Sequence, residues 1–338
     1  MKHDIRMLVL LFALIWGLAW SAAGRASAEA EKEEPPEEET AAETEAAGTA
    51  ARAVPDSELT LRVRVNGTVT EMDMGTYLLG VLRAEVPASF EPEALKAQAI
   101  AARTYTLYKM KDGPIANHPD ADACDNISCC KAYASAEQAA ADWGGMALYY
   151  EEKLARAVAE TDGQVILYGG EPILAVFCSS TNGHTQNAGA VWQSDLPYLQ
   201  SVTSPESEEL VPNYYSTETF TAEQFRARML AAHPEAKLSG SPEGWITEVN
   251  RSDAGFVTTV TVGGVRLKGN ELRTILSLRS PSFTAEADGD TLTFRVTGYG
   301  HGVGMSQYGA NALAARGMDA AAILAHYFTG TAVGPYTP

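Results

Sequence analysis

Glu85 stands at a turn marked by Val86-Pro87, with Leu78, Leu79, Val81 and Leu82 just before it. A carboxylic acid held in apolar surroundings keeps its proton near neutral pH and is able to protonate a departing oxygen. Pro92, at a first helical position and followed by Glu93, predicts a helix from 92 to about 111. That helix carries Lys96, Gln98, Arg103 and Tyr105 among alanines. Lys96 and Arg103 share one face about two turns apart, while Leu95, Ala99 and Ala102 make a small-residue stripe suited to close packing. Taken alone, a glutamate at a helix end and two cations on a helix face are most often solvated surface groups. Glu91 and Glu93 lie at the helix start, where acids favour the dipole, and no second acid is evident beside Glu85.

A second chemical segment lies near the C-terminus. Thr291 to Thr297 alternates as a strand and runs into Gly298-Tyr299-Gly300-His301-Gly302-Val303-Gly304, then Ser306, Gln307 and Tyr308. Alternate glycines let the backbone bend and a ligand approach closely. The pattern is not a dinucleotide fingerprint, because the sixth position from Gly298 is Val303 and from Gly300 is Met305. A Ser–His nucleophile is disfavoured as well, since the G-x-S-x-G elbow and an orienting acid are both missing. A lone loop histidine is more often structural than catalytic.

His118, Cys124, Cys129 and Cys130 form a third cluster. Thiolates with a further nitrogen ligand suit a tetrahedral zinc ion, and an irregular loop gains most from such a brace. The spacing H-x5-C-x4-C-C matches no standard finger pattern. A disulfide is the rival in an exported protein, joining Cys124 to Cys129 or Cys130, or Cys178 to one of the three. Four protein ligands would leave no open position on the metal, so a metal-dependent hydrolase is disfavoured.

These groups need elements to hold them. Leu59 to Val65, Asn66-Gly67 and Thr68 to Met72 predict a hairpin, and residues 74–84 a short helix. Helices are expected at 135–142, 151–160, 219–230, 270–278, 310–316 and 319–327. Residues 112–130 and 233–244 read as loops. A hairpin is expected across 164–178, and strands at 245–250, 256–262 and 291–297. Hairpins with inserted helices point to an α+β fold rather than a parallel βαβ one.

Lys2 and Arg6 precede an apolar run, Met7 to Trp20, and Ala26-Ser27-Ala28 resembles a cleavage site. Residues 1–28 are therefore a signal peptide or a membrane anchor, and the remainder is exported. Residues 29–58 hold eleven acidic and two basic side chains, half of the chain's net charge of −18. This predicts a disordered acidic linker, with the folded domain at 59–338. The acidity of the remaining domain argues against nucleic acid as a partner.

The segments GVLRAEVPASFEPEALKAQAIAARTYTLY (80–108) and GYGHGVGMSQYGANALAARG (298–317), with FCSSTNGHT (177–185), resemble the stage II sporulation protein D family in the expected order. The resemblance covers most of 59–334. It implies a lytic transglycosylase that cuts the β-1,4 MurNAc-GlcNAc bond of peptide-stripped peptidoglycan strands. Glu85 would be general acid and base, and the sugar's own 6-hydroxyl the nucleophile, giving 1,6-anhydro ends. Substrate positions implied are Lys96, Gln98, Arg103, Tyr105, Ser180, His301, Ser306, Gln307 and Tyr308. Some members of the family hold a structural zinc with two His and two Cys; here position 129 is Cys, giving His118, Cys124, Cys129 and Cys130. The resemblance further implies a place at the extracytoplasmic face of the membrane, anchored through the N-terminus. It also implies a role in engulfment during sporulation, with stage II sporulation proteins P and M as partners. Related amidase-enhancer domains share the signature, so a non-catalytic wall-glycan binder is the alternative.

Overall fold

The computed structural model describes residues 52–111, 113, 117–192 and 194–338. The segment 1–28 and all of the acidic stretch before Arg52 lie outside the described residues. Among the described residues no helix is long and apolar enough to cross a membrane.

The fold is α+β. Strands β1 (Thr60–Val65) and β2 (Thr68–Asp73) lead to helices α1 (Met74–Glu85) and α2 (Pro92–Met110). Then come β3 (Ala123–Cys124), α3 (Ala136–Trp143), α4 (Ala147–Ala159), β4 (Gln164–Tyr168), β5 (Glu171–Pro172), β6 (Phe177–Cys178) and α5 (Ala188–Val191). The middle of the chain supplies β7 (Tyr215–Thr221), α6 (Ala222–Ala232), β8 (Ile246–Arg251), β9 (Val257–Val262), β10 (Val265–Lys268), α7 (Gly269–Leu276), β11 (Phe283–Asp288) and β12 (Thr291–Thr297). It closes with β13 (Met305–Ser306), α8 (Gln307–Ala314), α9 (Ala320–Tyr327) and β14 (Ala332–Pro335).

Two hydrophobic cores organise these elements. The larger gathers side chains such as Leu61, Leu82, Leu95, Val165, Met305 and Tyr327 from both ends of the described chain. The smaller is built only from 220–296, around Phe225, Trp245, Val260, Leu272 and Phe294. The chain leaves the first core after Tyr214 and returns at Gly298, where Gly298 N–H donates to the Tyr214 carbonyl. The C-terminal glycine-rich segment is therefore the return crossing between the two cores.

Helix α2 is the axis of the larger core, packed against α1, α4, α8, α9 and β4. Its alanines are buried on several sides, which lets those neighbours approach closely. The hairpin forms as expected, with Asn66 and Gly67 both at positive φ and Val65 opposite Thr68. Asp73 caps α1 by accepting from the Thr76 N–H.

The folded body reaches back further than the composition predicts. Asp56, within the acidic stretch, is buried and grips Arg103 of α2 through Nε–Oδ1 and Nη2–Oδ2 contacts of 2.7 and 2.6 Å. Arg103 is wholly buried and also donates to the Gln164 carbonyl. Two further departures are local. Residues 215–221 form a strand that precedes α6, and β6 pairs with β13 rather than completing a hairpin with β4.

Removing one partner of a buried ion pair strands the other charge, at a cost of about 3–5 kcal/mol. Asp56→Ala is expected to lose stability of that size in urea unfolding. A loss below about 1 kcal/mol would contradict the structural role given to Arg103 here.

Candidate functional site

Helix α1 ends on Glu85, and its approach is set by a contact only glycine permits. A β-carbon on Gly80 would lie 2.0 Å from the Tyr133 ring, so α1 presses directly against the 131–134 segment. Ala134 N–H donates to the Gly80 carbonyl, and Ala132 N–H donates to Glu85 Oε1 at 3.0 Å. The carboxylate is thus oriented by a backbone donor, which leaves Oε2 for chemistry.

Lys131 lies beside this pair. Its Nζ sits 3.6 Å from the Phe177 ring centroid and 4.1 Å from that of Tyr105. Burial between the rings pulls the ammonium down to about 8, against the attraction of the Glu85 carboxylate. Burial, the neighbouring thiols and Glu85 together push the Tyr105 phenol up to about 12. Lys131 was not singled out from the sequence; the only signal available is one lysine directly after Cys129-Cys130.

The segments 177–185 and 298–308 are zipped together. Strand β6 pairs in parallel with β13, Ser180 bridges Tyr299, and Gln186 bridges Val303. Gly300, at φ +123°, lies where a β-carbon would meet the Cys178 Cβ at 2.5 Å. Ser306 caps α8 by accepting from Gly309 N–H, and Tyr308 packs edge-on against Phe90. Gln307 donates to Gln98 Oε1 at 3.4 Å, which ties α8 to α2. Gln98 Nε2 and Ser180 Oγ are buried without a hydrogen-bond partner.

Of the residues expected around Glu85, Tyr105 lies within reach of its charge, and Gln98 faces the same side of α2 one turn pair away. Lys96 and Arg103 do share a face, but that face is elsewhere. They lie two positions before Gln98 and Tyr105, so they point about 200° around the helix axis from them. Lys96 pairs with Glu93 at 2.8 Å and Glu160 at 2.6 Å, in a cleft of about 270 Å³ that excludes Glu85. Arg103 is committed to Asp56.

His301 is likewise committed to the backbone. Nδ1 accepts from Val303 N–H at 3.1 Å, the ring bonds the Phe177 backbone, and it packs at a tilt against Trp192. Burial, with Lys131 and Arg273 nearby, pulls the imidazole down to about 3. It is therefore a neutral brace between the two zipped segments at ordinary pH.

The ligand atoms of His118, Cys124, Cys129 and Cys130 all lie within 4.8 Å of one another, so these four could hold a metal ion. The Sγ atoms of Cys129 and Cys130 are 3.9 Å apart, and His118 Nε2 is 3.3 Å from Cys130 Sγ. Both distances approximate the edges of a tetrahedron with metal bonds of about 2.0–2.3 Å. His118 Nδ1 bonds the Ala121 carbonyl at 2.9 Å, which turns Nε2 toward the thiols. Burial raises Cys124 and pushes Cys130 up to about 12; a cation among these atoms would favour the thiolates instead. All four cysteines are free thiols, and Cys178 belongs to β6, apart from the cluster. Parallel pairing of β3 with β1 and the Arg62–Asp122 and Arg64–Asp120 ion pairs pin the loop that carries these ligands.

Residues 64–168 match the family model described as stage II sporulation protein. Stage II sporulation protein D of Bacillus subtilis (strain 168) is 39% identical over 272 residues, covering 79% of this chain and 76% of the relative. The chain belongs to the stage II sporulation protein D family. A Bacillus amyloliquefaciens protein of the same name is 38% identical over 266 residues, covering 78% of this chain and 75% of its own. The amidase enhancer of Bacillus subtilis (strain 168) is 28% identical over 311 residues, covering 77% of this chain and 40% of that protein.

His301 gives this site a pH signature. Its folded value lies below the ordinary 6.5, so the unfolded chain takes the proton first and stability falls as pH drops through about 6.5 toward 3. Between about pH 7 and pH 5 the loss is at most about 2 kcal/mol. His301→Asn is expected to flatten that part of the stability profile measured by urea unfolding; an unchanged slope would refute the neutral-brace role.

Proposed function

We propose that this family member is a peptidoglycan lytic transglycosylase with Glu85 as its single acid and base. The observation that carries the reading is the Glu85 carboxylate fixed by the Ala132 N–H, with no second carboxylate paired to it among the described residues. Glu206, an acid near the zipped segments, is occupied by Thr181 and Ser204. Most hydrolytic glycosidases use a second acid to activate water or attack the sugar. One acid suffices when the nucleophile belongs to the substrate.

In this mechanism Glu85 donates its proton to the glycosidic oxygen as the bond from C1 breaks. The carboxylate then takes the proton of the MurNAc 6-hydroxyl as that oxygen closes on C1. The products are a 1,6-anhydro-muramyl end and a free GlcNAc hydroxyl, with no water consumed. Lys131 keeps a positive charge beside the carboxylate as it forms. Tyr105 and Tyr308, both partly exposed, are the polar groups from which the glycan contacts are drawn, while the buried Gln98, Gln307 and Ser180 join Lys96, Arg103 and His301 in holding the framework.

The His118, Cys124, Cys129, Cys130 set fits zinc, with a structural role. It braces the loop that ends in Lys131 and Ala132, and its four protein ligands leave no position for water. Action on strands already stripped of peptide requires an amidase upstream, and stage II sporulation protein P fills that role in this reading, with stage II sporulation protein M as the membrane partner. The site of action is the extracytoplasmic face of the cell membrane, in septal wall remodelling during sporulation.

Digestion of peptide-free glycan strands, with products read by mass, tests this. Anhydro-muramyl ends are expected from the native protein and should fall at least about a hundredfold in Glu85→Gln. Reducing ends would identify a hydrolase, and binding without cleavage would favour the amidase-enhancer alternative. Metal analysis of the reduced protein is expected to give stoichiometric zinc; its absence would sink the zinc assignment.

A further inference from the structure

Arg279 is a cation with one buried nitrogen left unsatisfied. It lies between α7 and β11, where its guanidinium covers the Tyr299 ring at 4.2 Å from the centroid. Its Nε is buried with no hydrogen-bond partner, and among the described residues it forms no ion pair. Arg273, on α7 itself, uses Nε to bond the Leu278 and Arg279 carbonyls and is also without a carboxylate partner among the described residues. An open cavity of about 300 Å³ is lined by Arg273, Thr274, Ser277, Leu278, Arg279 and Tyr299. Two guanidinium groups thus share one opening that contains no acidic side chain, in a protein whose net charge is −18.

The opening adjoins the glycan-facing segments. Tyr299 bridges Ser180, and Gly300 N–H donates to the Arg279 carbonyl. Arg273 and Arg279 therefore make the opening cationic where it meets Tyr299. Tyr299, half exposed, offers an aromatic face beside it, a surface on which a sugar ring is able to stack.

We propose that Arg279, backed by Arg273, is a carboxylate-binding subsite that reads the free lactyl carboxylate of muramic acid. The proposal rests on the glycan-cleaving reading and names what selects its substrate. A stripped strand carries one anion per muramic acid, the lactyl carboxylate on the sugar's 3-oxygen. When a stem peptide is attached, that carboxylate is an amide, neutral and bulkier. A guanidinium fork pairs with the former in two parallel hydrogen bonds and with the latter poorly. Preference for stripped strands thus follows from charge recognition at Arg279 as well as from space.

The test measures equilibrium binding in a Glu85→Gln background, so that it does not depend on cleavage. Three oligosaccharides are compared: peptide-free strands, the same strands with lactyl carboxylates converted to amides, and an all-GlcNAc oligomer. The parent should bind the free-acid strands about tenfold or more tighter than the amidated ones, with the gap narrowing as salt rises. Adding Arg279→Gln should erase that gap, bringing the free-acid affinity down to that of the amidated strands, with an unchanged melting temperature as the check on folding. A parent without preference for the free acid, or a variant that keeps the preference, overturns the subsite. So does a variant that weakens all three ligands equally, since a merely structural arginine would do that. Absence of cleavage by the native protein, with the binding preference intact, would reject the catalytic reading and leave the subsite standing.

Discussion

The hydrogen bond from Ala132 N–H to Glu85 Oε1 is the constraint on which the rest of the site depends. A glutamate at the end of a helix has several rotatable bonds and an open side, so without a fixed donor it would sample water. Here the donor comes from a segment that itself lacks regular structure. That segment is held on one side by the contact between Gly80 and Tyr133, and it follows directly on His118, Cys124, Cys129 and Cys130, whose ligand atoms lie close enough together to hold a metal ion. The cluster is hung in turn on β1, through the parallel pairing of Cys124 with Arg64 and the ion pairs of Arg62 and Arg64. The position of one carboxylate oxygen is thus traceable through a loop to the first hairpin of the body.

A second set of contacts builds the ribbon whose Phe177 packs on Lys131, the residue before Ala132. The pairing of β6 with β13 and the bridge from Ser180 to Tyr299 bring distant parts of the chain into one ribbon. His301 braces it from behind, and Gly300 permits its approach to Cys178. Because the ribbon is the return crossing from the smaller core, it also carries Tyr299 and the neighbouring Arg279 up to the same region. The smaller core, otherwise remote from the acid, reaches the site through this crossing.

What was legible in the sequence follows from range. The Asn66-Gly67 turn, the proline start of α2 and the small-residue stripe along it are local signals, and they appear where expected. The four metal-type ligands are also close in sequence, so their convergence was readable. Arg103 and Lys96 show the limit. Their shared face was correct, but which neighbour meets that face depends on Asp56, hidden in a stretch whose composition reads as solvated linker, and on Glu160 from α4. Lys131 was invisible because a lysine after two cysteines carries no pattern, and its meaning comes from Tyr105 and Phe177 closing over it. The pairing of β6 with β13 leaves no mark in the sequence for a related reason: two-residue strands have no periodicity to read, and Gly300 and Gly304 meet Cys178 and Val176 only in three dimensions.

The central claim is that Glu85 works alone because the substrate supplies its own nucleophile. Cleavage of peptide-free strands in water enriched in heavy oxygen, with the new ends analysed by mass, tests that most directly. The mechanism requires cleaved muramyl ends that carry no label and are lighter than a hydrolysed end by one water. Incorporation of one labelled oxygen per bond cut at the muramyl C1 would contradict it, because a water molecule, and with it a second base, would then be part of the reaction.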